Sequence, residues 1–87
     1  MKSFSLTVST PDGNAFCGEC VAITVRGTEG ELCIMADHAP FVTGVVKGEC
    51  RIAVSEEEEI FATLDGGVLT AGENRVTLIA GSFKFTE

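Results

Sequence analysis

The sequence predicts an all-β domain, and three observations support this prediction. First, apolar and polar residues alternate along most of the chain, as at its start, where Phe4, Leu6 and Val8 alternate with serine and threonine. Second, short segments rich in Gly, Asp and Asn interrupt this alternation at regular intervals. Third, no window shows the period of a helix. Together they predict one antiparallel β-sandwich or flattened barrel of about 8–10 short strands.

The first half of the chain begins with a strand over residues 4–9, which ends at the Pro-Asp-Gly-Asn turn of residues 11–14. A short strand over 15–17 is predicted to turn at Gly18 and to form a hairpin with residues 20–26. The next turn, at residues 27–30, leads into a strand at 32–35.

Residues 30–48 contain a change of chain direction between two apolar strands, at 32–35 and 41–46. The polar corner between these strands holds Asp37 and His38, the chain's one histidine, and Pro40 restricts the backbone just after it. Aspartate adopts the left-handed conformation more readily than most residues, which suits a sharp turn.

The second half predicts two more hairpins, 50–55 with 60–64 and 68–71 with 76–80. Residues 50–55 alternate, and the run Glu56–Glu59 is expected to be a hydrated hairpin tip because four adjacent like charges repel one another. Strands at 60–64, 68–71 and 76–80 follow, separated by glycine-bearing turns, and a last short alternation ends the chain at Phe83 and Phe85.

Composition limits the kinds of protein this chain can be. Its 87 residues are enough for one domain, which we expect to span residues 1–87, and the net charge of −7 argues against nucleic acid or an anionic membrane as a direct partner. There is no run of about 20 apolar residues and no apolar core of a signal peptide. We therefore expect a cytoplasmic or equivalent location, where the 4 cysteines would be reduced.

The cysteines offer one alternative function, a small zinc or redox module. Cys17 and Cys20 form a C-x-x-C pair that could share a tetrahedral site with His38 and with Cys33 or Cys50. A second close pair is missing, and a redox pair would need a helix N-terminus to lower the thiol pKa. Packing is the more common role for such thiols.

Other chemistry finds little support in the sequence. Two stretches contain closely spaced glycines, GTEGEL at residues 27–32 and GVVKG at residues 44–48. Neither has the spacing or the following helix of a phosphate-binding loop. A hydrolase built on His38 would need a nucleophile and an orienting carboxylate, and nothing indicates that assembly. We expect His38 to hold its turn by hydrogen bonds or to contact a partner. Binding to an unrelated basic protein remains a further alternative.

Several motifs together resemble the epsilon subunit of F-type ATP synthases. The main one is the segment 30–48, in which Gly-Glu-Leu, Ile34, His-Ala-Pro, Thr43 and Lys-Gly follow that family's order. Further matches lie in residues 16–30 and 66–80, so that the resemblance covers residues 3–81. Cys33 replaces a usual glycine, and Ala36-Asp37 replaces a usual Pro-Gly.

The resemblance implies a non-catalytic subunit of the central stalk that couples ion-driven rotation to ATP synthesis, without a cofactor or a small-molecule substrate. The implied partners are the gamma subunit and the polar loops of the c-ring, at the cytoplasmic side of the bacterial plasma membrane or its organelle equivalent. Matched positions implicate Glu29, Gly30 and Glu31 in c-ring binding, and they implicate Thr10, His38 and Thr43 in gamma binding.

The resemblance also bears on regulation. Family members carry a C-terminal helical hairpin that restrains ATP hydrolysis, and we expect no such helical domain within residues 1–87. The expectation that follows is a subunit that couples rotation but does not inhibit hydrolysis by that mechanism.

Overall fold

A computed structural model describes residues 2–86 and confirms the all-β class. The ten strands are β1 (Phe4–Thr10), β2 (Gly13–Cys20), β3 (Ala22–Gly27), β4 (Gly30–Met35), β5 (Phe41–Val45), β6 (Gly48–Ala53), β7 (Glu59–Leu64), β8 (Gly67–Gly72), β9 (Arg75–Ala80) and β10 (Phe83–Thr86). The predicted number of strands is therefore correct.

Three pairs of consecutive strands are continuous strands that bend in the middle. Val45 of β5 lies opposite Gly67 of β8, and Gly48 of β6 lies opposite Leu64 of β7. Gly48 follows Val45 by three residues, and Leu64 precedes Gly67 by three residues. The pairing of β5 with β8 therefore continues in the same register as the pairing of β6 with β7 across the bend. β9 and β10 continue in the same way against β8 and β7. The centre of the fold is thus a bent three-stranded meander.

The bend between β7 and β8 requires glycine at two positions. Gly66 has a φ of 111°, which L side chains rarely adopt. At Gly67 the backbone carbonyl of Ile79 occupies the space that a Cβ would need. The bend between β9 and β10 is held by the Asp65 carboxylate, which accepts a hydrogen bond from the Ser82 amide at 2.9 Å. These two bends therefore depend on particular residues at the bend.

The bent meander forms parts of two sheets that fold onto each other. Sheet I has the order β5-β8-β9-β1-β2, and sheet II has the order β10-β7-β6-β3-β4. We call the end with the bends and with the turns at residues 11–12 and 28–29 the corner end. The opposite end, with residues 36–40 and 54–58, is the open end.

One strand pair differs from the fully antiparallel expectation, because β1 runs parallel to β9. No tight turn connects these two strands, which are more than sixty residues apart in the chain, so local turn geometry does not impose an antiparallel direction.

The predicted turn at Gly18 is wrong. Gly18 lies inside β2 opposite Leu6 of β1, and β2 continues to Cys20. The predicted hairpin between residues 15–17 and 20–26 is wrong for the same reason, since β3 pairs with β4 and β6 instead. A glycine in a strand can sit beside a large neighbour, and here the Phe16 ring lies 3.7 Å from where a Cβ would stand.

The core lies between the two sheets and takes the alternate residues of nearly every strand. Its buried members are Phe4, Leu6, Val8, Cys20, Val45, Leu69, Ala71, Val76, Leu78 and Ala80 from sheet I, and Ile23, Val25, Ile34, Cys50, Ile52, Ala62 and Leu64 from sheet II. Because these residues face inward, the residues between them form two outer faces.

Candidate functional site: two outer faces and two ends of the sandwich

The outer face of sheet I is almost free of charge, and we call it the uncharged face. Its central rows consist of Val42, Thr70, Thr77, Thr7 and Cys17, and of Gly44, Val68, Ile79 and Ser9. Three of the apolar side chains are well exposed, namely Val42 at 68%, Val68 at 45% and Ile79 at 55%. A contiguous exposed patch of this kind is typical of a protein interface.

The charged residues of sheet I lie outside these central rows. Among the outward side chains of its strands in residues 2–86, Glu19 and Arg75 are the charged ones, and both lie in the row nearest the open end. The Glu19 carboxylate accepts a hydrogen bond from the Ser3 hydroxyl at 2.7 Å.

A shallow groove of about 550 Å³ runs along the corner end of the uncharged face, where Val68, Ile79 and Thr10 line it. The Thr10 hydroxyl donates a hydrogen bond to the Gly13 carbonyl at 3.0 Å and accepts one from the Asp12 amide at 3.2 Å. Thr10 therefore supports the β1–β2 turn and also borders the uncharged face.

The outer face of sheet II is charged, and we call it the charged face. Its charged side chains are Arg26, Glu31, Glu49, Arg51, Glu59 and Lys84. A small pocket of about 80 Å³ lies among four of these side chains, beside Thr24 and Cys50. Opposite charges alternate across neighbouring strands, which favours a hydrated surface.

Glu31 takes part in this alternation. It lies directly opposite Arg26, and its carboxylate is 4.0 Å from the Arg51 guanidinium. The two side chains of that ion pair are 65% and 43% exposed, so solvent weakens the attraction between them. Glu31 is thus a surface acid with two basic neighbours.

Glu29 and Gly30 lie at the tip of the β3–β4 hairpin, at the corner end. The loop between the paired residues Gly27 and Gly30 has two residues, and Gly30 has a φ of 128°. Residues 28–31 are exposed. The structure therefore brings Glu29, Gly30 and Glu31 together on one accessible loop.

His38 lies at the open end and bridges the two sheets. Its Nδ1 is 2.8 Å from the carbonyl oxygen of Met35, at the end of β4, and its Nε2 is 2.7 Å from that of Gly72, at the end of β8. Asp37, with a φ of 67°, makes the turn just before it and pairs with Lys2 at 3.1 Å. His38 holds its turn, as the sequence predicted.

The three residues matched to gamma binding do not form one cluster. Thr10 and His38 lie at opposite ends of β1, because the His38 ring contacts Phe4 and β1 is about 20 Å long. Thr43 lies opposite the buried Leu69, so its half-buried side chain is on the core side of β5. Its hydroxyl donates to the Gly44 carbonyl at 3.2 Å.

The cysteines of the C-x-x-C pair lie on opposite faces of their strand, so the alternative metal or redox site is not formed. Cys17 and Cys20 are three residues apart in β2, so their side chains lie on opposite faces of sheet I: Cys17 is exposed and Cys20 is buried. Within residues 2–86, no group of three or more His, Cys, Asp and Glu residues could hold a metal ion. A zinc or redox module is not supported.

Two of the thiols are buried in the core and are unreactive near neutral pH. Burial raises the pKa of Cys20 to about 11. Burial also raises the pKa of Cys50 to about 12, and the nearby Cys20 adds to this effect. Since the thiolate is the reactive form, neither buried thiol is a nucleophile near neutral pH.

The acidic run occupies the hairpin tip predicted for it. Residues 54–58 form the turn between β6 and β7, and Glu59 begins β7. The turn is closed by hydrogen bonds from the amides of Val54 and Ser55 to the Glu58 carbonyl, at 2.9 and 3.3 Å. All four glutamates are exposed, as expected for a solvated charge run.

Sequence reasoning did not find the uncharged face. Its signal is present, because the outward positions of β8, β9 and β1 carry Val, Ile, Thr and Ser where a solvated strand normally has charged residues. What the sequence lacked was the order of the strands, which assembles these scattered positions into one surface.

The fold defines the class, a small all-β sandwich with one uncharged outer face. Within residues 2–86 no helix has the length and the apolar character needed to cross a membrane. Comparison with known families is more specific. The chain belongs to the ATP synthase delta/epsilon chain family, since the model of its beta-sandwich domain matches residues 3–85.

The curated relatives are epsilon chains. The chain is 30% identical over 84 residues to the ATP synthase epsilon chain of Wolbachia pipientis, covering 97% of this chain and 74% of that one. It is 29% identical over 86 residues to the sodium ion specific epsilon chain of Acetobacterium woodii, covering 99% and 65%. The chain thus spans only part of the length of these relatives.

Solved structures share the fold. A chain of the Euglena gracilis mitochondrial ATP synthase matches with a TM-score of 0.90 at 20% identity, covering 95% of this chain and 53% of that one. A chain of the Tetrahymena thermophila mitochondrial ATP synthase, from a structure of its central stalk and c-ring, matches with a TM-score of 0.79 at 15% identity, covering 94% and 66%.

Proposed function

We propose that this chain is a non-catalytic subunit of the central stalk of a rotary ATP synthase and that it helps couple ion-driven rotation to ATP synthesis. Its family membership supports the assignment. The observation that carries it is the uncharged face, because a stalk subunit needs a surface that another protein can cover permanently. This role places the chain at the membrane periphery through the complex, on the cytoplasmic side or its organelle equivalent.

The partner proposed for the uncharged face is the gamma subunit. Val42, Val68 and Ile79 supply exposed apolar area, and uncharged hydroxyl side chains surround them without charges that would need to be desolvated. Thr10 contributes at the border of this face, in the groove beside Val68 and Ile79. Gamma binding by His38 and Thr43 stays a prediction from the family resemblance, since His38 lies at the open end and the Thr43 side chain is on the core side of β5.

The partner proposed for the corner end is the set of polar loops of the c-ring. Glu29, Gly30 and Glu31 present an exposed acidic loop there. A basic loop of the ring would compete with Arg26 and Arg51 for the Glu31 carboxylate, so electrostatics would set the register of docking more than its affinity.

Two cysteines of the chain provide a matched test of the gamma proposal. Cys17 is exposed on the uncharged face, opposite Thr7, and Cys33 is exposed on the charged face, opposite Thr24. Each can be labelled with a small maleimide and quantified by mass spectrometry. We expect bound gamma subunit to slow the labelling of Cys17 about tenfold or more while leaving that of Cys33 unchanged.

The same experiment contains its own controls. Cys20 and Cys50 are buried and should stay unlabelled until the protein is denatured, which reports that the fold is intact. Protection of Cys33 instead of Cys17 would show that gamma covers the charged face, and it would contradict the proposal. Failure of the folded chain to bind gamma at all would refute the stalk assignment.

The c-ring proposal has a separate test, binding of the gamma complex of this chain to c-rings in vesicles. Reversal of charge by Glu31→Lys should weaken this binding, and Glu57→Lys, at the open end, should not. Equal effects of the two substitutions would indicate a general charge effect and would count against the corner end as the docking surface.

A further inference from the structure

The small pocket in the charged face leads to an inference beyond the assembly role. Its volume of about 80 Å³ is room for one small chemical group. Thr24 of β3 pairs with Cys33 of β4 on one side and with Arg51 of β6 on the other, so the pocket lies over the middle of sheet II. Its lining residues are Thr24, Arg26, Glu31, Glu49, Cys50 and Arg51.

Thr24 is the first residue that points to a ligand. It is 9% exposed, and among residues 2–86 it is the buried residue with a polar side chain. Every fully enclosed side-chain nitrogen or oxygen in the same range has a hydrogen-bond partner. The Thr24 hydroxyl has none there, so it is not enclosed and is reached from the pocket. The group that occupies the pocket must therefore supply its hydrogen bond.

Two guanidinium groups line the same pocket with unused donors. A guanidinium has five N–H donors in a planar fork. The Arg51 guanidinium is 4.0 Å from the Glu31 carboxylate, which is too far for a hydrogen bond, and neither the Arg26 nor the Arg51 side chain donates one within residues 2–86. The Arg26 side chain lies against β6, since its Cβ, Cδ and Nε are each 3.7 Å from where a Cβ of Gly48 would stand. These donors suit an oxyanion.

The charge of the lining favours a carboxylate among the oxyanions. The two arginines and the two glutamates, Glu31 and Glu49, cancel each other, so the pocket is neutral overall. A carboxylate brings a single negative charge, and its two oxygens can accept from both guanidinium forks and from the Thr24 hydroxyl. A phosphate dianion would bring a second negative charge close to the two glutamates and would be repelled more strongly.

We propose that this pocket binds one carboxylate group. Its oxygens accept hydrogen bonds from the guanidinium groups of Arg26 and Arg51 and from the Thr24 hydroxyl, and it competes with Glu31 for Arg51. The group belongs either to a free organic acid or to an acidic side chain of another protein, because the contacts are the same for both. The proposal concerns the free chain and does not rest on binding to gamma or the c-ring.

The first test is nitrogen NMR of the arginine Nε–H groups, followed while sodium acetate replaces sodium chloride at pH 7. The chain has three arginines, and Arg75, on sheet I, is an internal control. The Arg26 and Arg51 signals should shift to saturation with a dissociation constant on the order of 10 mM, because a ligand of about four heavy atoms makes few contacts. Phosphate should bind several-fold more weakly. Equal or unsaturated shifts of all three signals, or tighter binding of phosphate, would overturn the proposal.

The second test removes the unpartnered hydroxyl. Thr24→Val keeps the shape of the side chain and should weaken acetate binding about tenfold, while stability to urea, followed by circular dichroism, stays equal or rises. Thr77→Val makes the same change on the uncharged face and should leave acetate binding unchanged. Equal acetate affinity of the two variants would overturn the proposal, and the titration of the native chain remains decisive if Thr24→Val does not fold.

A peptide titration distinguishes the two sources of the carboxylate. The probe is a five-residue peptide with blocked ends and one central glutamate, and its control has glutamine in that position. Binding of the glutamate peptide about tenfold tighter than acetate would assign the pocket to an acidic side chain of another protein, and binding no tighter than acetate would assign it to a free organic acid. Equal binding of the glutamate and glutamine peptides would overturn the role of the carboxylate.

Discussion

The two outer faces of the sandwich share three bent strands and yet differ in character. β5 presents Val42 and Gly44 on the uncharged face, while β6, which continues β5 around the bend, presents Glu49 and Arg51 on the charged face. Beneath both faces the core is equally apolar. The difference teaches that the outward positions of a bent strand can differ in character from one face to the other while the core beneath them stays apolar.

The strongest way to break this arrangement is to disturb the bend that joins the two faces. Gly67→Ala places a Cβ against the Ile79 carbonyl, which belongs to the neighbouring strand and cannot move aside. We expect a loss of about 3 kcal/mol or more in the free energy of unfolding, measured by guanidinium titration.

Gly44→Ala is the matched control for the bend. Gly44 lies on the uncharged face, with no atom within 4 Å of an added Cβ, so the change should stay within about 0.5 kcal/mol. Equal stability of the two variants would show that the bend tolerates a side chain.

The next largest effect should come from adding charge to the uncharged face. Ile79→Glu puts a carboxylate where the side chain is 55% exposed in the free chain and, under the proposed function, would be covered by gamma. We expect gamma binding to weaken by about 100-fold, because the carboxylate would be buried without a partner, while the fold by circular dichroism is unchanged.

Thr63→Glu adds the same charge to the charged face, on an exposed position of β7, and should change gamma binding by less than about threefold. If both substitutions weaken binding alike, overall charge and not the uncharged face governs the interaction.

Alkaline pH should probe the core shared by the two faces through Cys20 of sheet I and Cys50 of sheet II. Burial raises the pKa of these thiols to about 11 and about 12, above their value in the unfolded chain. Above about pH 9 the unfolded state therefore releases protons that the folded state keeps, and stability falls as the pH rises. By pH 10 each thiol should raise the unfolding constant roughly tenfold.

The pH slope is measured by guanidinium unfolding under reducing conditions at pH 8 and pH 10. Cys50→Ala should flatten the slope, whatever its effect on stability at pH 8, and Cys33→Ala, at an exposed position, should not. An unchanged slope in Cys50→Ala would assign the alkaline loss to other groups.

The smallest effect should come from the ion pair of the charged face. Arg51→Ala removes the guanidinium 4.0 Å from Glu31, and since both side chains are substantially exposed, we expect a loss of at most about 0.5 kcal/mol in the free energy of unfolding. Insensitivity of this small loss to added salt would show that packing, not charge attraction, causes it.

Much of the local structure was predictable from the sequence. The alternation located the strands, and the Pro-Asp-Gly and Asp-Gly-Gly segments located a turn and a bend, since their backbone requirements are local. The Gly18 turn was predicted wrongly because a glycine that ends a strand and one that lies beside a neighbouring ring look the same in sequence.

The candidate site was less predictable. The acidic loop at Glu29–Glu31 was predicted from the family resemblance, and its residues are exposed at the tip of the β3–β4 hairpin. Its part in partner binding stays a prediction. The uncharged face was not found, since Val42, Val68 and Ile79 become neighbours only when β5, β8 and β9 are ordered side by side.

The sequence by itself determined the fold class, the family and the alternation of buried and exposed residues along most strands. Only the tertiary structure decided that β1 runs parallel to β9, that three strands continue around the bends, and that His38 reaches the carbonyl of Gly72, 34 residues away. The physical reason is that periodicity and turn chemistry act between near neighbours in the chain, whereas the choice of neighbouring strand depends on how the whole set of buried side chains packs.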